Sequence, residues 1–477
     1  VFADIVRQLD AIFMPKAIAV VGASDDPTAW GHWIMQCLLG SGFPGDIYPV
    51  NISQDRVMGL IAYHKVTQIP AKIDLAVIVV PAVAVAKVMR DCAEHGVKGA
   101  VIITAGFAET GEQGRLLQDE IVDIARKGGI RFVGPNGNGI IDTASRVCLP
   151  YDEMPEAGPI ALVSQSGTFG GHLAMSAAAR GYGISKFISV GNQADLNMAD
   201  YLAYLSEDRN TAVICVYVEG VVEGRRFLEV ARQVTARKPV IVYKGGTTDT
   251  GLRATLSHTA SLGGREEIFE AMCRQTGLIR VAEITHLFEM AHALSTLPLP
   301  KGNRVAVMGS GGQCVVTADA CSSLGLRLPE LDDESADRLS RLLPPHAPKP
   351  RNPVDFAGGA HSALDEARLL ERIAQLDYID SIIANIPNTW LTSDPSQARV
   401  SLGAQAISIL SRIPNVYGKP LVCQGLDRRP ESKKIIRDLK RSGIPTYETP
   451  EQCARAIYAL SRYSEIRRQC EGDQSES

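Results

Sequence analysis

Ile160-Ala161-Leu162-Val163-Ser164-Gln165-Ser166-Gly167-Thr168-Phe169-Gly170-Gly171 is the stretch from which the fold can be read. A short, wholly apolar run bounded by a turn signal predicts a strand buried on both faces. It runs directly into hydroxyl-bearing and small residues, and an alanine-rich segment follows that predicts a helix. At such a strand-to-helix turn the first N–H groups of the helix point outward, and the macrodipole adds positive potential to them. Ser164, Gln165, Ser166, Gly167 and Thr168 therefore form a candidate phosphate seat, although a helix capped by the Ser166 hydroxyl would read the same way.

The same device recurs downstream, where the strand 304–308 leads into Gly309-Ser310-Gly311-Gly312-Gln313 and a second helix. Gly311 and Gly312 are its candidate phosphate-binding residues. Around the first device, apolar runs at 187–190, 213–218 and 240–243 supply further strands. Ahead of it, runs at 17–21, 47–50, 75–80, 100–103 and 130–133 alternate with longer helix-like segments. After the second device, runs at 381–386 and 420–424 complete a third set, and a helix from 450 to about 468 closes it. This rhythm is that of α/β domains with parallel sheets covered by helices on both faces, in which ligands sit beyond the carboxyl ends of the strands. Linkers at 152–158 and 297–302 divide the chain into domains 1–150, 151–298 and 299–470. The proline-rich segment 341–351, before Asn352-Pro353-Val354-Asp355, reads as a linker or cleft loop with no assigned chemistry.

The first domain invites comparison with dinucleotide-binding folds. Gly22-Ala23-Ser24-Asp25-Asp26-Pro27 lacks the second glycine of Gly-x-Gly-x-x-Gly, however, and the second strand ends in Asn51 where a carboxylate would hold a ribose diol. NAD is disfavoured, while a different nucleotide-bearing ligand, or an empty structural cleft, stays open. The chain contains no Gly-x-x-x-x-Gly-Lys-[Ser/Thr], which excludes a P-loop.

Composition narrows the class further. The chain has 477 residues, 45% of them hydrophobic and 21% charged, with a formal net charge of -4, and so gives no electrostatic reason for a nucleic-acid or anionic-membrane partner. Its ten cysteines are scattered through apolar runs without a Cys-x-x-Cys pair, which fits free thiols in a reducing cytoplasm and no metal site. No apolar run is long enough to span a bilayer, and the amino terminus lacks the pattern of a signal peptide.

Leu256-Ser257-His258-Thr259-Ala260-Ser261-Leu262-Gly263-Gly264 sets one imidazole among small and hydroxyl residues with no strong period. His258 reads either as a loop histidine without a task or as a nucleophile that becomes phosphorylated. The second reading requires an acceptor on the other ring nitrogen to fix the tautomer. Glu219, at the end of the run Val216-Tyr217-Val218, is the candidate acceptor.

With these residues in place the chain resembles the α subunit, or the amino-terminal half of the fused form, of the NDP-forming acyl-CoA synthetases, the superfamily of succinyl-CoA synthetase. The motifs that carry the resemblance are Val20-Val21-Gly22-Ala23-Ser24, Tyr48-Pro49-Val50-Asn51, Thr104-Ala105-Gly106-Phe107-Ala108-Glu109, Gly134-Pro135-Asn136, Ser164-Gln165-Ser166-Gly167, Gly191-Asn192, Glu219-Gly220, Ser257-His258-Thr259 and Asn352-Pro353-Val354-Asp355. Gly137 stands where the family usually has cysteine. The resemblance implies a Rossmann-like CoA-binding domain followed by two flavodoxin-like doubly wound domains. It implies coenzyme A held by Gly22, Ala23, Ser24, Val50, Asn51, Pro81, Ala105, Gly106, Phe107 and Asn136, and catalysis by His258 with Glu219. It also implies ATP or ADP with Mg on an ATP-grasp domain outside this chain, in a β subunit or a fused carboxyl-terminal part, a small carboxylic acid substrate, and an oligomer. The implied reaction converts acid, CoA and ATP reversibly to acyl-CoA, ADP and phosphate through an acyl phosphate and a phosphohistidine. Two other outcomes are a CoA-binding regulatory or scaffold module of a larger acyltransferase, and a lyase derived from a CoA ligase.

Overall fold

The computed structural model describes residues 2–151, 153–253, 266–343, 345–356, 362–385, 397–425 and 430–475. They form two compact units, Val1–Ile284 and Thr285–Ser477.

The first unit contains two large sheets. One has five parallel strands in the order Asp46–Val50, Ala17–Val21, Leu75–Ile78, Gly99–Ile102, Arg131–Val133. The other has the parallel strands Ile279–Val281, Val240–Lys244, Val213–Val218, Ala157–Ser164 and Ile184–Ser189, extended by two short antiparallel strands, Ile140–Asp142 and Val147–Cys148. Strands Ala17–Val21, Leu75–Ile78 and Gly99–Ile102 are buried at every position, as sheets covered on both faces require.

The second unit carries one parallel sheet, Val354–Asp355, Val305–Gly309, Ser381–Asn385, Leu421–Gln424, Thr446–Tyr447. Helix His286–Thr296, which the sequence groups with the domain ending at 298, packs inside this unit. The Tyr447 hydroxyl donates to the Glu289 carbonyl, and the Arg455 guanidinium pairs with the Glu289 carboxylate at 3.0 Å.

Numbering only the parallel strands of each sheet in chain order, all three sheets run 2-1-3-4-5. In that order the helices after strands 1 and 3 leave to opposite faces, and a crevice opens between those two strand ends. The turns at Gly22, Ser164–Gly167 and Gly309–Gly312 each follow strand 1 of their sheet, so all three lie at such a crevice.

The two sheets of the first unit are joined by a polar seam. Asn192 and Ala194 donate their backbone N–H groups to the carbonyls of Pro135 and Gly134, and Asp195 accepts from the Phe132 N–H at 2.8 Å and the Arg131 guanidinium at 2.9 Å. Helix Ala3–Phe13 adds an apolar tie, with Phe13 stacked on Tyr204 at 4.7 Å. Beneath the seam, buried Lys186 bridges Asp142 at 3.0 Å and Asp208 at 2.9 Å.

Candidate active site

The crevice of the second sheet brings together two of the groups expected from sequence. Strand Ala157–Ser164 is its strand 1 and strand Val213–Val218 its strand 3, so Ser164–Ser166 and Glu219 leave adjacent strand ends. The Gln165 side chain joins them: its Oε1 accepts the backbone N–H groups of Glu219 at 2.7 Å and Gly220 at 3.1 Å. Gln165 is buried, and that oxygen serves the Glu219 turn, whereas the sequence reading gave the residue to phosphate. Ser164 is likewise fully buried, and its hydroxyl donates to the Ser166 carbonyl at 2.6 Å, so it shapes the turn from within.

Helix Gly167–Ala179 begins at Ser166, whose side chain makes no capping hydrogen bond. The serine cap that the sequence left open beside an anion seat is not formed. Ser166 and Gly167 are part-exposed and Thr168 is exposed at this end. The glycines let the helix lie close to its surroundings. A Cβ on Gly167 would stand 2.6 Å from the Asn138 Cβ, one on Gly170 2.3 Å from the Ser164 hydroxyl, and one on Gly171 2.1 Å from the Tyr151 hydroxyl. Gly167 is thus fixed by packing as well as by its place in the turn.

At the carboxyl edge of the first sheet, Gly22 takes φ +98°, and a Cβ there would meet the Val79 carbonyl at 2.6 Å. Gly31, in the first turn of helix Trp30–Gly40, approaches so closely that a Cβ would fall 1.8 Å from the Gly22 carbonyl. Gly22, Ser24, Asn51, Pro81, Ala105, Gly106 and Asn136 reach the surface along this edge. Ala23, Val50 and Phe107 do not, because their side chains are in the core, and any contact with a ligand would have to come from backbone. Asn51 is also occupied. Its Nδ2 donates to the Ala23 carbonyl and Gln54, and its Oδ1 accepts from Ser53 and Gln54, so it holds the loop in shape.

Two residues at this edge escaped the sequence reading as site elements. Glu109 accepts the N–H groups of Gly106 at 2.6 Å and Phe107 at 3.1 Å and the Asn192 amide at 2.5 Å. Burial opposes its ionisation, but these donors outweigh it and hold the carboxyl below its ordinary value. Asn192 also receives the Asn136 amide at 3.2 Å. The edge of the first sheet is thereby tied to the Gly191–Asn192 turn of the second.

In the second unit, Gly311 (φ +56°) precedes helix Gly312–Ser323, again without a side-chain cap, and both glycines are exposed. The motif Asn352–Asp355 contributes the edge strand Val354–Asp355, and the Asp355 carboxylate accepts the Gly311 N–H at 3.2 Å. Asn385 ends strand 3 beside this turn. It donates to Gln424, whose own amide donates to the Glu448 carbonyl at 3.1 Å.

His258 lies outside the described residues, as does the rest of the segment 254–265. Among the described residues no group of His, Cys, Asp or Glu side chains is arranged to hold a metal ion, and no helix is long and apolar enough to cross a membrane.

Residues 16–143 match the family model of the CoA binding domain, and residues 157–294 that of the succinyl-CoA ligase like flavodoxin domain. The chain is 41% identical to the α subunit of the ADP-forming acetate–CoA ligase II of Pyrococcus furiosus, over 95% of this chain and 97% of that one. It is 37% identical to the ADP-forming acetate–CoA ligase I of Archaeoglobus fulgidus, where it covers 64% of a longer protein. Among solved structures, the dinucleotide forming acetyl-coenzyme A synthetase 1 of Ca. Korarchaeum cryptofilum in complex with phosphate and ADP superposes with a TM-score of 0.86 at 33% identity, covering 98% of both chains. With its paired α/β sheets, its uncapped helix at the crevice and Glu219 beside it, the chain belongs to the ADP-forming acyl-CoA synthetases, as the homologue of their α subunit.

Proposed function

We propose that this chain is the part of an ADP-forming acid–thiol ligase that binds coenzyme A and carries the phosphoryl group, interconverting acid, CoA and ATP with acyl-CoA, ADP and phosphate. The observation that carries the reading is the meeting of Glu219 with the uncapped amino end of helix Gly167–Ala179 at one crevice, joined through Gln165. A carboxylate beside an anion seat suits a phosphorylated imidazole. The helix end and its N–H groups favour the phosphoryl charge, and the carboxylate favours the imidazole N–H that must be held while the other nitrogen attacks.

In the direction of acid release, the seat holds inorganic phosphate while its oxygen attacks the thioester carbonyl, and the CoA thiolate leaves and takes up a proton. His258 then attacks the phosphorus of the acyl phosphate, and the carboxylate departs. The phosphoryl group passes from His258 to ADP on an ATP-grasp domain, where Mg accompanies the nucleotide. That domain belongs to a β subunit or to a fused carboxyl-terminal part, and both forms fit the coverage of the Pyrococcus and Archaeoglobus relatives. The first domain, 1–150, offers Gly22, Ser24, Pro81, Ala105, Gly106 and Asn136 to coenzyme A. Domain 151–298 offers the Ser166–Thr168 helix end to phosphate, domain 299–470 carries its own candidate phosphate-binding helix end at Gly311–Gly312, and a small carboxylic acid is the substrate. The assembly is an oligomer of the cytoplasm.

Incubation with acetyl-CoA and ³²P-phosphate should give an acid-labile adduct on His258. His258→Ala should abolish it, with CoA affinity within about threefold of the unsubstituted chain. Label on another residue, or label that survives His258→Ala, would refute the reading.

A further inference from the structure

Tyr217 and Glu219 stand two positions apart at the end of one strand, so their side chains share a face. The Tyr217 hydroxyl donates to Glu219 Oε1 across 3.2 Å. Its ring is gripped from two sides. Tyr243 on the adjoining strand stacks with it at 5.9 Å and 18°, and Phe169 in the first turn of the seat helix meets it edge-on at 5.3 Å and 70°. The hydroxyl has its space because position 245 is glycine: a Cβ there would stand 2.8 Å from the hydroxyl oxygen and 3.6 Å from Glu219 Cγ. The backbone of Glu219 is pinned separately, by Gln165.

Resting on the reading of Glu219 given above, the geometry points to Tyr217 as a positioning residue for the phosphoryl transfer: its hydroxyl holds Oε1 of Glu219 and so fixes the orientation of that carboxylate. A carboxylate on a single strand-end backbone can rotate about its side-chain torsions, and each rotation away from the imidazole costs orientation when the phosphoryl group moves. The hydroxyl removes that freedom. Burial, and then the negative charge of Glu219, raise the Tyr217 hydroxyl above its ordinary value, so it remains a donor throughout the neutral range. The contact of Phe169 with Tyr217 ties the hydroxyl to the same helix whose amino end forms the seat, so carboxylate and seat keep one geometry.

The test is single-turnover labelling of His258 in the whole chain with acetyl-CoA and ³²P-phosphate. Tyr217→Phe keeps the ring and removes the hydroxyl. A hydrogen bond to a charged group supports a fall in the maximal labelling rate of about tenfold or more. The acetyl-CoA and phosphate concentrations giving half that rate should stay within about twofold, since the hydroxyl spends its proton on Glu219 Oε1. Gly245→Ala displaces the hydroxyl with the tyrosine intact and should lower the rate in the same sense, which keeps the test informative should Tyr217→Phe fold poorly. Maximal rates within about threefold of the unsubstituted chain in both variants would overturn the inference, as would a loss confined to the half-saturating concentrations. Glu219→Gln separates the two levels. Loss of label there, with label retained in Tyr217→Phe and Gly245→Ala, sinks only the role of Tyr217. Full label in Glu219→Gln sinks the reading of Glu219 itself, and the role of Tyr217 with it.

Discussion

Replacing Gln165 by methionine tests whether the seat and Glu219 form one structure. The side chain is 6% exposed, and its oxygen satisfies two backbone donors of the Glu219–Gly220 turn. Methionine fills nearly the same volume but accepts neither bond, so the packing loss is small and the two N–H groups are stranded. Each stranded donor costs about 1–3 kcal/mol. Partial rehydration at the crevice places the sum at roughly 2–4 kcal/mol, toward the lower end of that range. For a unit of this size the expected fall in the unfolding midpoint is about 3–7 °C. Calorimetry reads the midpoint, and hydrogen exchange at the Glu219 and Gly220 amides reads the cause directly, because protection there should drop in Gln165→Met while strand Ala17–Val21 is unaffected. Unchanged exchange at both amides, with a midpoint within about 1 °C of the parent, would refute the claim that Gln165 holds this turn.

In the second unit, Gly309→Ala puts a Cβ 2.1 Å from the Asn385 amide oxygen, on a side chain already tied to Gln424, and should cost about 1–3 kcal/mol by urea denaturation. Burial, and then Lys440, lower the His292 imidazole from 6.5 to about 4. The unfolded chain therefore takes up a proton that the folded unit refuses between those values. Stability should be full above pH 6.5 and fall by up to about 3 kcal/mol as the pH drops through this window, a slope that His292→Leu should flatten in urea melts at stepped pH. Lys186→Met leaves Asp142 and Asp208 buried without their cation, and a loss of roughly 3–5 kcal/mol in the first unit is expected by calorimetry.

The sheets were legible because buried parallel strands leave unbroken apolar runs. The expected strands 17–21, 213–218 and 381–386 are found as Ala17–Val21, Val213–Val218 and Ser381–Asn385. Ile140–Asp142, Val147–Cys148 and Ile279–Val281 were missed, since two or three residues carry no period and acquire strand character only from a neighbour. Helix His286–Thr296 was not singled out in the sequence, and its membership of the second unit has no local signal, because the pattern of a helix face does not name the surface it meets. At the site, the strand end at Glu219 and the strand-to-helix turn at Ser164–Gly167 could be read from residue type and spacing, whereas the missing serine cap could not. Gln165 was assigned to the ligand because a sequence shows that an amide is present and not which way it turns. Tyr217 had a signal, its place two residues before Glu219 on a strand, whereas the hold of Glu109 on Asn192 joins residues 83 positions apart and left no local trace.

The seam between the two sheets of the first unit bears on how such enzymes can be recombined. Strands Ile140–Asp142 and Val147–Cys148 precede position 150 yet complete the second sheet, and Gly134 and Pro135 accept hydrogen bonds from residues near 192. A chimera joined at 150 would graft a foreign edge onto that sheet and mismatch both sides of the junction. The compact unit is the whole of Val1–Ile284, so a splice between relatives should keep both sheets intact only when the crossover spares that unit.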